Sequence, residues 1–332
     1  MKRPEFIARL VVGAAVLGAI AVPLILWWRT PLVHAQMAED GGWNPDALKA
    51  AVGVPLQLRI TSDDVVHGFA VGKLDIPAVD IVPGKVTNIT LLFQDPGTYT
   101  FFCTRWCGLN HWRMRGTIEV VGDVAAANPP HERSRPLYTT LGIDLDAPRS
   151  APLTPAEKPV AALEAQQFKD ELAGYMSVVY YRSRSPYEVW RELRADPASA
   201  ARGDSELWNM TASIWRSNTT PQAVAEGEQL FAQNCAACHG EGGAGDGVFA
   251  DDLAAAGQAS LQSMMGDSQM VMQSPARLTD ARRMLAASPA LLQGKILRGG
   301  MGTGMPSWGP ILTEEQTWNL VAYLYSFQFE YR

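Results

Sequence analysis

The chain has 332 residues, more than one core comfortably organises, so two or three domains are expected. Its formal net charge of -6, from 28 Lys and Arg against 34 Asp and Glu, argues against nucleic acid as a main partner. The 4 cysteines fall in two close pairs, Cys103 with Cys107 and Cys235 with Cys238, each followed by histidine, a pattern of metal or haem attachment rather than a disulfide framework.

Residues 1–9 carry Lys2, Arg3 and Arg9, and the run from Leu10 to Trp28 has no charge. As a helix rising about 1.5 Å per residue, that run is roughly 28 Å long, close to bilayer thickness. It predicts a transmembrane helix over 10–28, kinked at Pro23 and anchored at the far interface by Trp27, Trp28 and Arg29. A cleaved signal peptide is the alternative, since Val33-His34-Ala35 suits cleavage, but the run exceeds the usual signal core of about 7–15 residues. Both readings export the rest of the chain. The expected location is a bacterial-type cell membrane, crossed once, with the N-terminus cytoplasmic and the later domains on the periplasmic or outer face.

Residues 29–50 form a short polar connection containing Gly41-Gly42. Residues 51–122 are rich in strand formers, with runs at Val54 to Ile60, Val86 to Phe93 and Thr98 to Phe102 separated by Pro83-Gly84 and Asp95-Pro96-Gly97. They predict a small all-β sandwich. Its chemistry lies in His67 and in CTRWCGLNHWRM, Cys103 to Met114. Cys103, Cys107, His111 and Met114 can project from one loop, with His67 closing the site from a neighbouring one. Soft thiolate, imidazole and thioether donors select copper, and two cysteines allow two sulfurs to bridge two copper ions. Spacing alone leaves open a disulfide, or a zinc site of two cysteines and two histidines.

Together TSDDVVHGF, PGKVTNITLLF, PGTYTFFC and CGLNHWRM resemble subunit II of haem-copper oxidases, the CuA cupredoxin domain, over residues 54–122. The resemblance implies two copper ions. Cys103 and Cys107 would bridge them, His67 and His111 would each bind one, and Met114 would be a weak ligand. The backbone carbonyl of Arg105 would complete the set. Most subunits II have a glutamate where Arg105 stands, which helps hold magnesium; an arginine cannot ligate a cation, so no such site is expected. The single N-terminal helix and the HGF wording resemble the B-type oxidases.

Residues 123–218 open Pro- and Ala-rich and then turn helical, without cysteine. GYMSVVYYRSRSPYEVWREL and SELWNMTASIWRS are aromatic, and Ser205 is a candidate cap for the second. The expectation is a helical linker or insertion that packs on a partner subunit, with a haem-less cytochrome remnant as the alternative.

Residues 219–332 are helical with Gly-rich loops. Cys235-Ala236-Ala237-Cys238-His239 is the c-type haem attachment motif: two thiols form thioethers with the haem, and His239 is the proximal ligand. The segment before it starts with Thr220 as a candidate N-cap and Pro221 in the first turn. The last helix opens with Thr313 and Gln316 in capping-box spacing and carries an apolar stripe of Trp318, Val321, Ala322, Leu324 and Tyr325. With HGEGGAGDGV and GMGTGMPSW, residues 222–330 resemble an all-α class I cytochrome c domain. The resemblance implies one covalently bound haem c, a close helix crossing at Gly227 and Tyr323, and a methionine sixth ligand. Met305, held by Pro306, is the choice and Met301 the fallback. Met264, Met265, Met270, Met272 and Met284 are read as fillers. Arg298 and Trp308 are candidate propionate partners.

His34 and His131 are expected to be solvated, and no Ser-His-Asp set, carboxylate pair or phosphate loop stands in a convincing context. Neither metal centre keeps an open position for substrate. The chain is therefore expected to be the electron-entry subunit of a cytochrome c oxidase-type complex, without a catalytic residue of its own. Electrons would pass from a soluble or membrane donor to the haem, to CuA, and on to a polytopic haem-copper catalytic subunit that reduces oxygen. The small subunit of a nitric oxide reductase is the alternative, and a stand-alone copper and haem sensor or metallochaperone is the alternative from another class.

Overall fold

A computed structural model describes residues 12, 30–74, 76–105, 107–108, 111–122, 135–161, 172–251, 275–300 and 305–331. The expected transmembrane helix over 10–28 lies outside these apart from Val12, as do residues 1–9, Met264, Met265, Met270, Met272, Met301 and His131. Among the described residues, no helix is long and apolar enough to cross a membrane. The chain divides into two compact units, Met1–Pro129 and Pro130–Arg332.

The first unit is a β-sandwich. Its strands are β1 (Leu32–Ala35), β2 (Trp43–Asn44), β3 (Ala47–Ala51), β4 (Leu56–Ser62), β5 (His67–Val71), β6 (Val79–Ile81), β7 (Val86–Leu91), β8 (Gly97–Phe102) and β9 (Arg115–Val121). One sheet runs β2-β1-β4-β7 and the other β3-β9-β8-β5-β6. The pairs β1–β4 and β3–β9 are parallel and the others antiparallel. Residues 29–50, expected as a connection, thus supply three strands. The physical reason is that Val33, Ala35 and Trp43 are apolar and fully enclosed, and β1 satisfies the open edge of β4.

Alternation places Leu58, Ile60 and Ser62 of β4 and Gly116, Ile118 and Val120 of β9 inward, with the residues between them turned toward solvent. Strand β5 is buried along its whole length. The centre of the core is aromatic: Trp43 meets Phe69 and Phe101 edge-on at 5.7 and 5.6 Å. This cluster shares one core with Cys103, Cys107 and Met114 of the segment between β8 and β9.

The second unit is helical. Its helices are α1 (Leu137–Thr140), α2 (Val178–Ser183), α3 (Pro186–Ala195), α4 (Asp204–Ser217), α5 (Pro221–Asn234), α6 (Ala236–His239), α7 (Ala281–Leu285), α8 (Pro289–Arg298) and α9 (Glu314–Tyr325). Thr220 caps α5, its Oγ1 accepting from the Ala223 N–H, and Pro221 occupies the first turn. Thr313 and Gln316 form the capping box of α9. Helix α4 begins at Asp204 after Gly203, so Ser205 lies inside it and is not its cap.

The helical part of residues 123–218, expected as a linker or insertion that packs on a partner subunit, packs on the later helices of its own unit. Trp215 of α4 meets Tyr325 and Phe329 at 5.6 and 5.9 Å, and Tyr181 of α2 meets Trp215 at 5.4 Å. Arg182 lies 3.9 Å over the Trp318 ring. A short strand β10 (Val160–Ala161) pairs with β11 (Glu330–Tyr331) in parallel. Aromatic faces of this size are buried wherever a complementary face lies, and here the closing helix supplies it.

Candidate metal centres

In the sandwich, strand pairing brings together residues distant in sequence. Ala70 and Val71 of β5 pair with Phe102 and Phe101 of β8, so the start of β5 and the residue following β8 share one end of the sheet. His67 stands at that start, wholly buried, and Cys103 directly follows β8. His67 Nδ1 lies 3.9 Å from Cys103 Sγ. The two sulfurs are 3.9 Å apart, and His111 Nδ1 lies 3.8 Å from Cys107 Sγ. Met114 Sδ is 3.2 Å from Cys107 Sγ, and the Arg105 carbonyl oxygen is 3.1 Å from Cys103 Sγ. The sequence-predicted donors of this loop therefore converge, with one histidine on each side of the sulfur pair.

The surroundings fix these donors. Cys103 N–H donates to the Met114 carbonyl at 3.1 Å, and Trp43 Nε1–H donates to the same oxygen at 3.0 Å. A 3-10 turn at His111–Arg113 closes the loop, with the Met114 N–H on the His111 carbonyl at 2.9 Å. His67 Nε2 lies 2.7 Å from Asp64 Oδ1, which orients the ring so that Nδ1 faces the sulfurs. Asp64 also accepts from the Met37 N–H. A side chain at Gly68 would collide with Thr104 Oγ1, so only glycine lets the loop cross β5 here.

The electrostatics suit cation binding. The hydrogen bond shared with Cys107 outweighs burial in Cys103 and, helped by His111, His67 and the Gly68 N–H, holds its thiol far below the ordinary range. Cys107, hydrogen-bonded to Cys103 and itself buried, is pushed upward. Burial opposes the charge on His67, but the hydrogen bonds to Cys103 and Asp64 outweigh it and raise its pKa. A buried pair of cysteine sulfurs flanked by imidazoles, with a thioether at 3.2 Å, has the donor chemistry of a copper site.

The helical unit places the second cysteine pair at the end of α5. Cys235 is the residue after that helix, and Ala236 to His239 form the one-turn α6. His239 Nδ1 donates to the Ala276 carbonyl at 3.0 Å, which leaves Nε2 available as a candidate ligand. Burial lowers the pKa of His239 and so favours the neutral, ligating form. Helices α5 and α9 cross where a Cβ on Gly227 would meet the Asn319 carbonyl at 2.1 Å and Tyr323 Cβ at 2.8 Å. Phe231 packs against Tyr323 and Phe327 at 5.3 and 5.6 Å. Gly245 and Gly247 N–H groups donate back to the carbonyls of His239 and Cys238, folding the Gly-rich loop around the motif. The motif's donors and glycine-lined surroundings fit a covalently held haem.

Met305 is half-buried, and its carbonyl accepts from the Gly300 N–H at 3.1 Å. Arg298 is engaged elsewhere than the predicted propionate role: its guanidinium holds Asp146 through two bonds of 2.6 and 2.7 Å. His34, expected to be solvated, pairs with Asp63 at 2.8 Å. Sequence reasoning missed Asp64, Asp80, Trp43, the Ala276 carbonyl and Asp146. Asp64 had a local signal, three residues before His67; the others come from other strands or loops and had none.

Residues 45–121 match the family model for the cytochrome c oxidase subunit II periplasmic domain, and residues 222–324 that for the cbb3-type cytochrome c oxidase subunit III. A cytochrome c oxidase subunit 2 of Thermus thermophilus is 39% identical over 79 residues, 24% of this chain and 58% of the relative. One from Apis mellifera ligustica is 41% identical over 66 residues, 20% of this chain and 29% of that protein. The chain thus spans about half, or less, of the length of these relatives. The periplasmic domain of subunit II of the cytochrome oxidase of Bradyrhizobium japonicum covers 23% of this chain and 55% of its own at 25% identity, with a TM-score of 0.21, too low to bear on function.

Proposed function

We propose that this chain, a subunit II periplasmic domain followed by a cytochrome c domain, is the electron-entry subunit of a haem-copper oxidoreductase complex. It takes electrons from a donor at a c-type haem and delivers them through a two-copper centre to a separate catalytic subunit that reduces oxygen. The observation that carries this reading is the pair of sulfurs 3.9 Å apart with a histidine on each flank, in one chain with the CAACH turn.

Copper and haem iron supply one-electron chemistry when bound. The protein's own residues do the rest. Cys103, Cys107, His67, His111, Met114 and the Arg105 carbonyl would together hold two copper ions. Asp64 keeps the proton on His67 Nε2, so the ring presents its other nitrogen to the metal. Cys235 and Cys238 would hold the haem through their sulfurs as thioethers, and His239 and Met305 would ligate its iron. Cys103 and Cys107 are buried in the same apolar core as Trp43, Phe69 and Phe101, which keeps water away from the sulfurs. With these donors engaged in holding copper and haem, bond-making would belong to the partner subunit. Residues 10–28 would anchor the chain in the membrane with both domains on the periplasmic side. Tethering the haem domain to the copper domain raises the donor's effective concentration.

Metal analysis of the purified protein tests this. Two coppers and one iron per chain are expected, and zinc with one iron would refute the copper assignment.

A further inference from the structure

The copper loop has a second anchor outside the ligand set. Asp80 lies on β6 directly opposite Gly68 of β5. The loop crosses β5 at Gly68: the Thr104 N–H donates to the Gly68 carbonyl at 3.3 Å, and the Gly68 N–H donates to Cys103 Sγ at 3.4 Å. A Cβ at Gly68 would lie 2.0 Å from Thr104 Oγ1 and 3.0 Å from the Arg105 nitrogen, so the main chain of Arg105 lies against the strand. From there its side chain continues one strand further. Arg105 Nε and one terminal nitrogen donate to the two Asp80 oxygens at 2.6 and 2.7 Å. On its other side, the Arg105 carbonyl faces Cys103 Sγ at 3.1 Å.

A two-point guanidinium–carboxylate pair fixes plane as well as distance, so it restrains the residue that carries it. Both partners are exposed, 57% for Arg105 and 49% for Asp80, and an ion pair in water adds little to overall stability. Its effect is therefore local. It holds the peptide whose carbonyl faces the sulfur pair.

We propose that Asp80 is a positioning residue for the copper centre: through the side chain of Arg105 it sets the Arg105 carbonyl against Cys103 Sγ, and so tunes the electronic structure and midpoint potential of the centre. This rests on the copper assignment above.

The test uses the full-length holoprotein with Asp80→Asn, Asp80→Ala, Asp80→Glu and Arg105→Gln. Copper and iron per chain, the haem spectrum, the copper hyperfine pattern in electron paramagnetic resonance and the midpoint potential are measured for each. Asp80→Asn keeps side-chain volume and guards against simple misfolding, which an altered haem or circular-dichroism spectrum would reveal. The expected result is full copper content with an altered hyperfine pattern in Asp80→Asn, Asp80→Ala and Arg105→Gln. Asp80→Glu, which keeps the two-oxygen acceptor, is expected to stay nearer the wild type. A wild-type pattern and potential in both Asp80→Asn and Asp80→Ala overturns the proposal. So do potential shifts of opposite sign in Asp80→Asn and Arg105→Gln with an unaltered pattern, which would mean that only charge acts. A wild-type protein without two coppers would instead overturn the functional reading, so the two failures are distinct.

Discussion

Gly227→Ala tests the helix crossing on which the haem unit is built. The added methyl carbon would lie 2.1 Å from the Asn319 carbonyl oxygen and 2.7 Å from its carbonyl carbon, where ordinary contact starts at 3.4 Å. Both obstacles are backbone, so no rotamer change relieves them; α5 and α9 must separate by about 1 Å. That loosens the Phe231–Tyr323 ring contact and the Asn319 Nδ2–Glu226 bond of 2.8 Å, which span the same crossing. Overpacking of this kind costs about 3 kcal/mol, the upper end of its usual range, because the strain falls on two helices rather than one side chain. Alanine recovers about 1 kcal/mol through its better helix propensity, leaving a net loss of about 2 kcal/mol. For a unit of this size (Pro130–Arg332) that corresponds to a fall in Tm of about 4–8 °C. Thermal unfolding followed through the circular dichroism of the haem band measures it. A variant as stable as wild type, or more so, would show that propensity outweighs the crossing and that the helices do not touch as described.

Met305→Ala is expected to abolish the absorption signature of a methionine-ligated haem while leaving the covalent haem in place; loss of that signature in Met301→Ala instead would refute the choice of Met305. Trp43→Phe removes the Nε1–H donor to the Met114 carbonyl and should cost the sandwich about 1–2 kcal/mol in denaturant unfolding, with an altered copper spectrum; an unchanged midpoint would refute the role given to that bond. The hydrogen bond from Arg298 holds the Asp146 carboxyl below the usual range, so the pair's contribution is present above the ordinary carboxylate pKa and is lost as pH falls through the lowered value. Both groups are partly exposed, which limits the effect to under about 1 kcal/mol; Asp146→Asn should flatten that acid-side loss, and an identical acid profile would refute the linkage.

Much of the proposed copper site was legible because its candidate ligands are crowded into one loop. Cys103, Cys107, His111 and Met114 lie within twelve consecutive positions, Cys103 to Met114, and their residue types alone imply soft-metal chemistry. His67 was harder, being recognisable only through the wording around it. Asp80 and Trp43 were beyond reach: one acts from the neighbouring strand and the other from a segment that reads as a polar connection. The caps of α5 and α9 were legible for the opposite reason, since a cap depends on residues three positions apart. The segment before α5 misled because an aromatic, amphipathic helix announces that it needs a partner without naming it.

The sequence by itself determined the crowding of Cys103, Cys107, His111 and Met114 into one loop, the CAACH run and the caps of α5 and α9. These rest on short-range spacing and on residue chemistry, which survive any arrangement of the rest of the chain. Only the tertiary structure decided that residues 32–51 complete the sandwich, that the aromatic helices after residue 172 pack on the closing helix, and that Arg298 pairs with Asp146. It also decided that Asp64 pairs with His67 and Asp80 with Arg105. Such pairings depend on strand register and on which apolar faces meet, and each is settled by long-range packing that no local run of residues encodes.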